Sequence, residues 1–178
     1  MQSDRSLLQD CEDTAPPSHV AAHPSLAELR PRTLKHDDTF ALFNHHGDLS
    51  ARPGSPEGLY HEDMRFLSGL RLRIAGKMPL LLSSTVQSNN AVLDVDLTNP
   101  DIFAGDRLVL PKDTIHISRM KFLWKAACYD VISVRNFGNQ VERVTVALDF
   151  DADFADLFEI RGFVRHARGR IDTHVSEQ

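Results

Sequence analysis

Between Cys128 and Phe154 the chain alternates along its length with a period of two, and this pattern restricts the fold more than any other. A helix would bring apolar residues back every three or four positions, whereas a strand sends successive side chains to opposite faces. Tyr129, Val131 and Ser133 point one way; Ile132 and Val134 point the other. Both sides are apolar enough to predict a central strand with Tyr129 buried. Asn136-Phe137-Gly138-Asn139 then reads as the turn of a hairpin. Beyond it, Val144, Val146, Leu148, Phe150, Ala152 and Phe154 share one face. Arg143, Thr145, Asp149, Asp151 and Asp153 share the other, which predicts a long strand with one wet face and one core face.

Shorter strands precede these. Thr39 to Phe43 is strand-like, and Asn44-His45-His46-Gly47-Asp48 is a turn in which Gly47 can take a positive φ. Leu70, Leu72 and Ile74 alternate with arginines, and Gly76-Lys77 turns the chain towards Leu80-Leu81-Leu82. Ser88-Asn89-Asn90 marks another turn before Leu93, Val95 and Leu97, which alternate with Asp94 and Asp96. Residues 99–113 read as a long connection, Ile115 and Ile117 open a further strand, and residues 155–161 read as a helical turn. Many short strands with little helical periodicity predict an all-β antiparallel sandwich. Residues 1–30 have no sustained apolar period and are expected to form a disordered tail, leaving residues 31–178 as one domain.

Composition narrows function by exclusion. A net charge of -5 gives no electrostatic basis for binding nucleic acid or an anionic membrane. No apolar run reaches the roughly 20 residues of a membrane span. Two cysteines, Cys11 and Cys128, form no disulfide framework and suit a reducing, cytoplasmic setting. No phosphate-cradling glycine loop calls for a cofactor.

Asp149, Asp151, Asp153, Asp156 and Glu159 are spread along a strand and its continuation, roughly 6–7 Å per pair of strand residues, so they read as a solvated face rather than a calcium site. His45 and His46 are adjacent and would point apart, and no histidine has the i, i+4 helical partner of a zinc site, so no metal is expected. Asp37, Asp38, Glu62 and Asp63 offer carboxylates, but no spacing sets a pair across a sugar. Ser83 and Ser84 lack the glycine elbow of a serine hydrolase. A small hydrolase is therefore the weakest reading, and no catalytic residue is assigned. The stretch Gly58 to Ser68 is richer: Tyr60, His61, Asp63 and Arg65 combine ring faces with hydrogen-bonding groups suited to a sugar or a domain contact. The plain alternative is that Asp63 pairs with Arg65 while the aromatics enter the core.

Three stretches, taken in order, resemble one family. They are Leu34 to Phe43 followed by His46-Gly47-Asp48; Gly58 to Ser68 with Leu80-Leu81-Leu82-Ser83-Ser84 downstream; and Asp151 to Gly162. Asp96-Leu97-Thr98-Asn99-Pro100 and Arg135-Asn136-Phe137 fit between them. This order resembles the N-terminal domain of bacterial and archaeal glycogen debranching enzymes, the amylo-α-1,6-glucosidases. The resemblance runs from Leu34 to Gly162 and ceases after Arg165. It implies a supersandwich-like β-sandwich, here lacking its last strand or strands, ahead of a helical α/α toroid that carries the catalytic carboxylates. It further implies that this chain is non-catalytic, and that its partner is a toroid domain or an α-glucan. Tyr60, His61, Asp63 and Arg65 would then lie on the substrate or interdomain side, and Leu157, Phe158 and Ile160 would either close the sandwich end or pack on the toroid. The alternative is a stand-alone carbohydrate-binding module, which needs an exposed aromatic platform; Trp124 and Tyr60 are its candidates.

Overall fold

A computed structural model describes residues 30–50, 52, 55–166, 169–170, 172 and 174. The tail expected over residues 1–30, with Cys11, lies outside the described residues except for Arg30. The described chain is all-β, with strands β1 (Arg32–His36), β2 (Thr39–Phe43), β3 (Gly58–His61), β4 (Met64–Leu67), β5 (Gly69–Ile74) and β6 (Leu80–Val86). They are followed by β7 (Val92–Thr98), β8 (Ile102–Ala104), β9 (Arg107–Leu110), β10 (Ile115–Trp124), β11 (Ala127–Asn136) and β12 (Val146–Asp151). One short helix, α1 (Leu157–Ile160), comes last.

Two antiparallel four-stranded sheets form the sandwich. One has the order β1-β2-β3-β4 and the other β11-β10-β7-β6; β5 pairs with β12, and β8 with β9. Between them lies one apolar cluster. Leu34, Ala41 and Phe43 come from the first sheet, Leu70, Leu72 and Ile74 from β5, and Leu93, Val95, Leu97, Ile115 and Ile117 from the second sheet. The period-two pattern does this work: along β10, positions 115, 117, 119, 121 and 123 are buried while those between are more exposed. Tight turns set the registers. Glu62 and Asp63 join β3 to β4 with φ of 45° and 66°, and Lys125 and Ala126 join β10 to β11 with φ of 47° and 58°. Such paired positive φ values match the right-handed twist of the flanking strands.

The structure alters four expectations. β11 is an edge strand rather than a central one, so Tyr129 is 45% exposed and Val134 50% exposed. Asn136 to Asn139 does not close a hairpin, because β12 leaves β11 and pairs with β5 in a separate two-stranded sheet. The apolar row of β12 is not buried: Val146, Leu148 and Phe150 are exposed although they stand opposite the core residues Ile74, Leu72 and Leu70. Periodicity identifies which residues share a face but not whether another layer covers it. Finally, residues 99–113 contain the β8–β9 hairpin rather than a plain connection.

Candidate functional site

The segment Gly58 to Ser68 folds as the β3–β4 hairpin and receives a second strand-like partner from the end of the domain. Arg65 N–H donates to the Ala155 carbonyl at 2.8 Å, Leu157 N–H to that of Asp63 at 3.0 Å, and Ser68 N–H to that of Asp151 at 2.9 Å. The residues after β12 thereby run along the free edge of β4 and close the sheet. α1 follows at once, started by a capping box in which Asp156 accepts from Glu159 N–H and the Glu159 side chain accepts from Asp156 N–H. No residue of α1 is buried, and Phe158 is 63% exposed.

Arg65 is the organising residue. Its guanidinium grips Asp153 through both Nε and Nη2, and Nη1 donates to the carbonyls of Ser55 at 2.8 Å and Glu57 at 3.0 Å. Burial works to lower its pKa, but the fork on Asp153 outweighs burial and raises it, fixing the charge. The expected Asp63–Arg65 pair is replaced by Arg65–Asp153, because the turn carries Asp63 outward. Gly58 gives the Arg65 stem its passage: a Cβ there would stand 2.4 Å from Arg65 Cδ. Tyr60 is buried, stacks on Phe40 with ring centroids 4.6 Å apart, and donates its hydroxyl to the Pro56 carbonyl at 2.8 Å. Burial raises its pKa, against the pull of Arg65.

The four residues singled out in sequence thus divide into two pairs. Tyr60 and Arg65 are buried supports, while His61 is half-buried and Asp63 exposed. His61 Nδ1 lies 2.9 Å from Thr39 Oγ1. Asp63 shares a shallow open depression with Lys35, Asp37, Asp38, Phe40 and Glu62, formed where the β1–β2 and β3–β4 turns meet. No group of three or more metal-ligating side chains converges among the described residues. Asp149 pairs with Arg73 and Asp153 with Arg65, so the acidic series is divided among separate partners.

A second polar constellation went unread in the sequence. Arg119 and Lys121 lie on the core side of β10 and are fully buried. Arg119 donates to Asp48 at 2.6 Å, to Asp130 at 2.8 Å and to the His46 carbonyl at 2.9 Å; Lys121 also reaches Asp130 and sits 4.9 Å from the Phe43 ring centroid. The turn predicted at Asn44 to Asp48 delivers Asp48, with Gly47 at φ 72° and its α-carbon face against Lys121. Burial and the adjacent Arg119 lower the Lys121 pKa. For Asp130, burial pushes upward, but Arg119 and Lys121 prevail and lower its pKa. Alternation with Ile115, Ile117 and Leu123 was the available signal that both cations face inward. Arg119, Lys121 and Asp48 of this cluster are buried, Asp130 is partly exposed, and the cluster ties the turn after β2 to the second sheet.

With the geometry in place, comparison with known families is direct. The N-terminal domain of some glycogen debranching enzymes matches residues 34–178. The chain belongs to that family. The match begins at Leu34, as the sequence motifs indicate, and continues through residue 178, so the family extends beyond Arg165, where the motif resemblance ends. No curated protein and no solved structure matches the chain. Among the described residues, no helix is long and apolar enough to cross a membrane.

Proposed function

We propose that this chain is the non-catalytic N-terminal module of a glycogen debranching system, serving as a packing scaffold for an α/α-toroid catalytic domain outside the matched region. The observation that carries this reading is the uncovered face of β12. Val146, Leu148 and Phe150 extend the buried row of β5 in register, yet no described layer covers them. An apolar sheet face of this kind marks an interaction surface. His61 and Asp63 stand at the surface as substrate-side or interdomain groups, and Tyr60 and Arg65 hold the hairpin that presents them. The family membership supports the setting in glycogen breakdown, and a cytoplasmic location accords with it.

The test is catalytic. The purified 178-residue chain is incubated with glycogen limit dextrin and released glucose is measured. No release is expected; turnover that survives repurification would overturn the non-catalytic assignment. The second reading, a stand-alone carbohydrate-binding module, draws on the exposure of Trp124, at 51%. The other platform candidate, Tyr60, is 1% exposed and offers no such surface.

A further inference from the structure

The two four-stranded sheets end in β1, β4, β6 and β11, and three of these edges are guarded. Residues beyond β12 run along β4, held by the hydrogen bonds of Arg65 and Leu157. β1 is met by the Asn90 carbonyl, which accepts from Lys35 N–H at 3.1 Å. Arg32 lays its guanidinium on β6, donating to the Ser84 carbonyl at 3.0 Å and to the Ser84 hydroxyl at 3.2 Å. β11 has no such guard. Among the described residues, none hydrogen-bonds to its backbone from the side away from β10.

The ladder fixes where the free groups of β11 point. Antiparallel strands bond through alternate residues. Just past the pairing of Ile115 with Asn136, Phe137 N–H donates to the Thr114 carbonyl at 2.8 Å, so the odd-numbered residues of β11 bond to β10. The N–H and C=O groups of Cys128, Asp130, Ile132, Val134 and Asn136 therefore point away from β10. β11 carries no proline and no lysine, and its register runs from Ala127 to Asn136 without a bulge. Tyr129, Val131 and Val134 lie along it largely exposed. A long, regular, apolar edge of this kind is a template for another strand.

The strand that fits this edge is β11 itself. Laid antiparallel about a two-fold axis at Ile132, the outward groups of Cys128 meet those of Asn136 of a second copy, and those of Asp130 meet Val134. Each outward donor then finds an acceptor along the whole strand. On the outer face, Arg135, held over the Phe137 ring at 5.8 Å, stands opposite Tyr129 of the second copy. Phe122 already stacks on the other face of Tyr129, at 4.8 Å with planes 7° apart, so this ring is fixed to receive a cation. No like charges are opposed: Asp130 faces Val134, and its carboxylate is held by Arg119 and Lys121. On the inner face, Cys128 and Ile132 pack on the core cluster but are only partly buried, and the joint covers them. We propose that two copies of this chain pair through β11 in this register, joining their β11-β10-β7-β6 sheets into one. The pairing uses neither β12 nor the β3–β4 hairpin, so it stands apart from the debranching reading.

Sedimentation velocity of the full chain tests the pairing. The dimer fraction is expected to rise by mass action over a series reaching about 100 μM. Val131→Lys sets two lysines diagonally across the axis and leaves the β10 ladder intact, and Val134→Pro removes an outward-pointing N–H. Each should weaken self-association by about tenfold or more. Val131 is 47% exposed, so Val131→Lys should melt like the parent, and the test stands even if the proline variant unfolds. Leu148→Asp/Phe150→Asp, which alters β12 alone, should dimerise like the parent. A chain that stays monomeric throughout the series overturns the proposal. So does a dimer that survives Val131→Lys undiminished, or one that only the β12 variant dissolves. No catalytic partner is present in this measurement, so its failure leaves the scaffold role of β12 in place.

Discussion

β10 and β12 invert the usual relation between side-chain type and burial. β10 turns Arg119 and Lys121 into the core, where both are fully buried, while β12 holds Val146, Leu148 and Phe150 out to solvent. Both strands alternate equally well, and what separates them is their neighbours. β10 is central in its sheet and has Asp48 and Asp130 within reach, which makes buried cations tolerable. β12 pairs on one side with β5 and has no described layer over its apolar row. The buried charges have their countercharges beside them, and the apolar row of β12 has no described layer over it.

The largest expected effect comes from removing the shared anion of the buried cluster. Asp130→Ala leaves Arg119 and Lys121 short of countercharge and should cost about 3–5 kcal/mol in urea unfolding. Adding Lys121→Met to Asp130→Ala should restore part of that loss, and a double variant no better than the single one would contradict a shared cluster. Gly58→Ala comes next. The Arg65 stem must give way, for an expected loss of about 1–3 kcal/mol together with a weakened Arg65–Asp153 clamp.

Acid titration separates the cluster from the rest of the molecule. Because the folded pKa of Asp130 lies below its unfolded value, its stabilisation is complete above the unfolded value, about 3.9 for aspartate, and is lost as pH falls through the lower folded one. Lys121 acts in the same direction with pH, but at the alkaline end. Its folded pKa lies below its unfolded value of about 10.4, so stability from this group rises as pH increases between the two. Asp130→Asn should therefore flatten the acid limb of a stability-against-pH curve, and an unchanged limb would refute the assignment. The smallest effect falls on the open row. Phe150→Ser should shift stability by no more than about 0.5 kcal/mol, since Phe150 is 66% exposed; a shift of 2 kcal/mol or more, on the order of a core truncation, would mean the row is already covered.

Much of this was legible in the sequence where local chemistry decides. β2 falls on Thr39 to Phe43, the turns at Gly47 and Asn90 stand where their residues require, and α1 lies within the predicted helical turn. Pairing partners were not legible, because hydrogen bonding across a sheet depends on residues far away in the chain. Thus Asn136 to Asn139 looked like a hairpin turn but carries the chain to another sheet, and Tyr129 looked buried but lies at an edge. The candidate site divides in the same way. The sequence brought Tyr60, His61, Asp63 and Arg65 to one hairpin, but Asp153, 88 positions from Arg65, fixes which of them is buried. Arg119 and Lys121 alternate with Ile115, Ile117 and Leu123, a pattern that points inward, but the carboxylates that pair with them, Asp48 and Asp130, come from other elements and cannot be placed from the local sequence.

The open row of β12 is most directly tested by co-purification. Tagged wild-type chain and a Leu148→Asp/Phe150→Asp variant of matched thermal stability are recovered from native cells, and α-1,6-glucosidase activity is measured in each eluate. The account predicts that the wild-type eluate carries activity with a stoichiometric toroid-type partner and that the variant eluate carries neither. Equal activity in both eluates, or none with the wild type, would contradict a scaffold that binds its catalytic partner through β12.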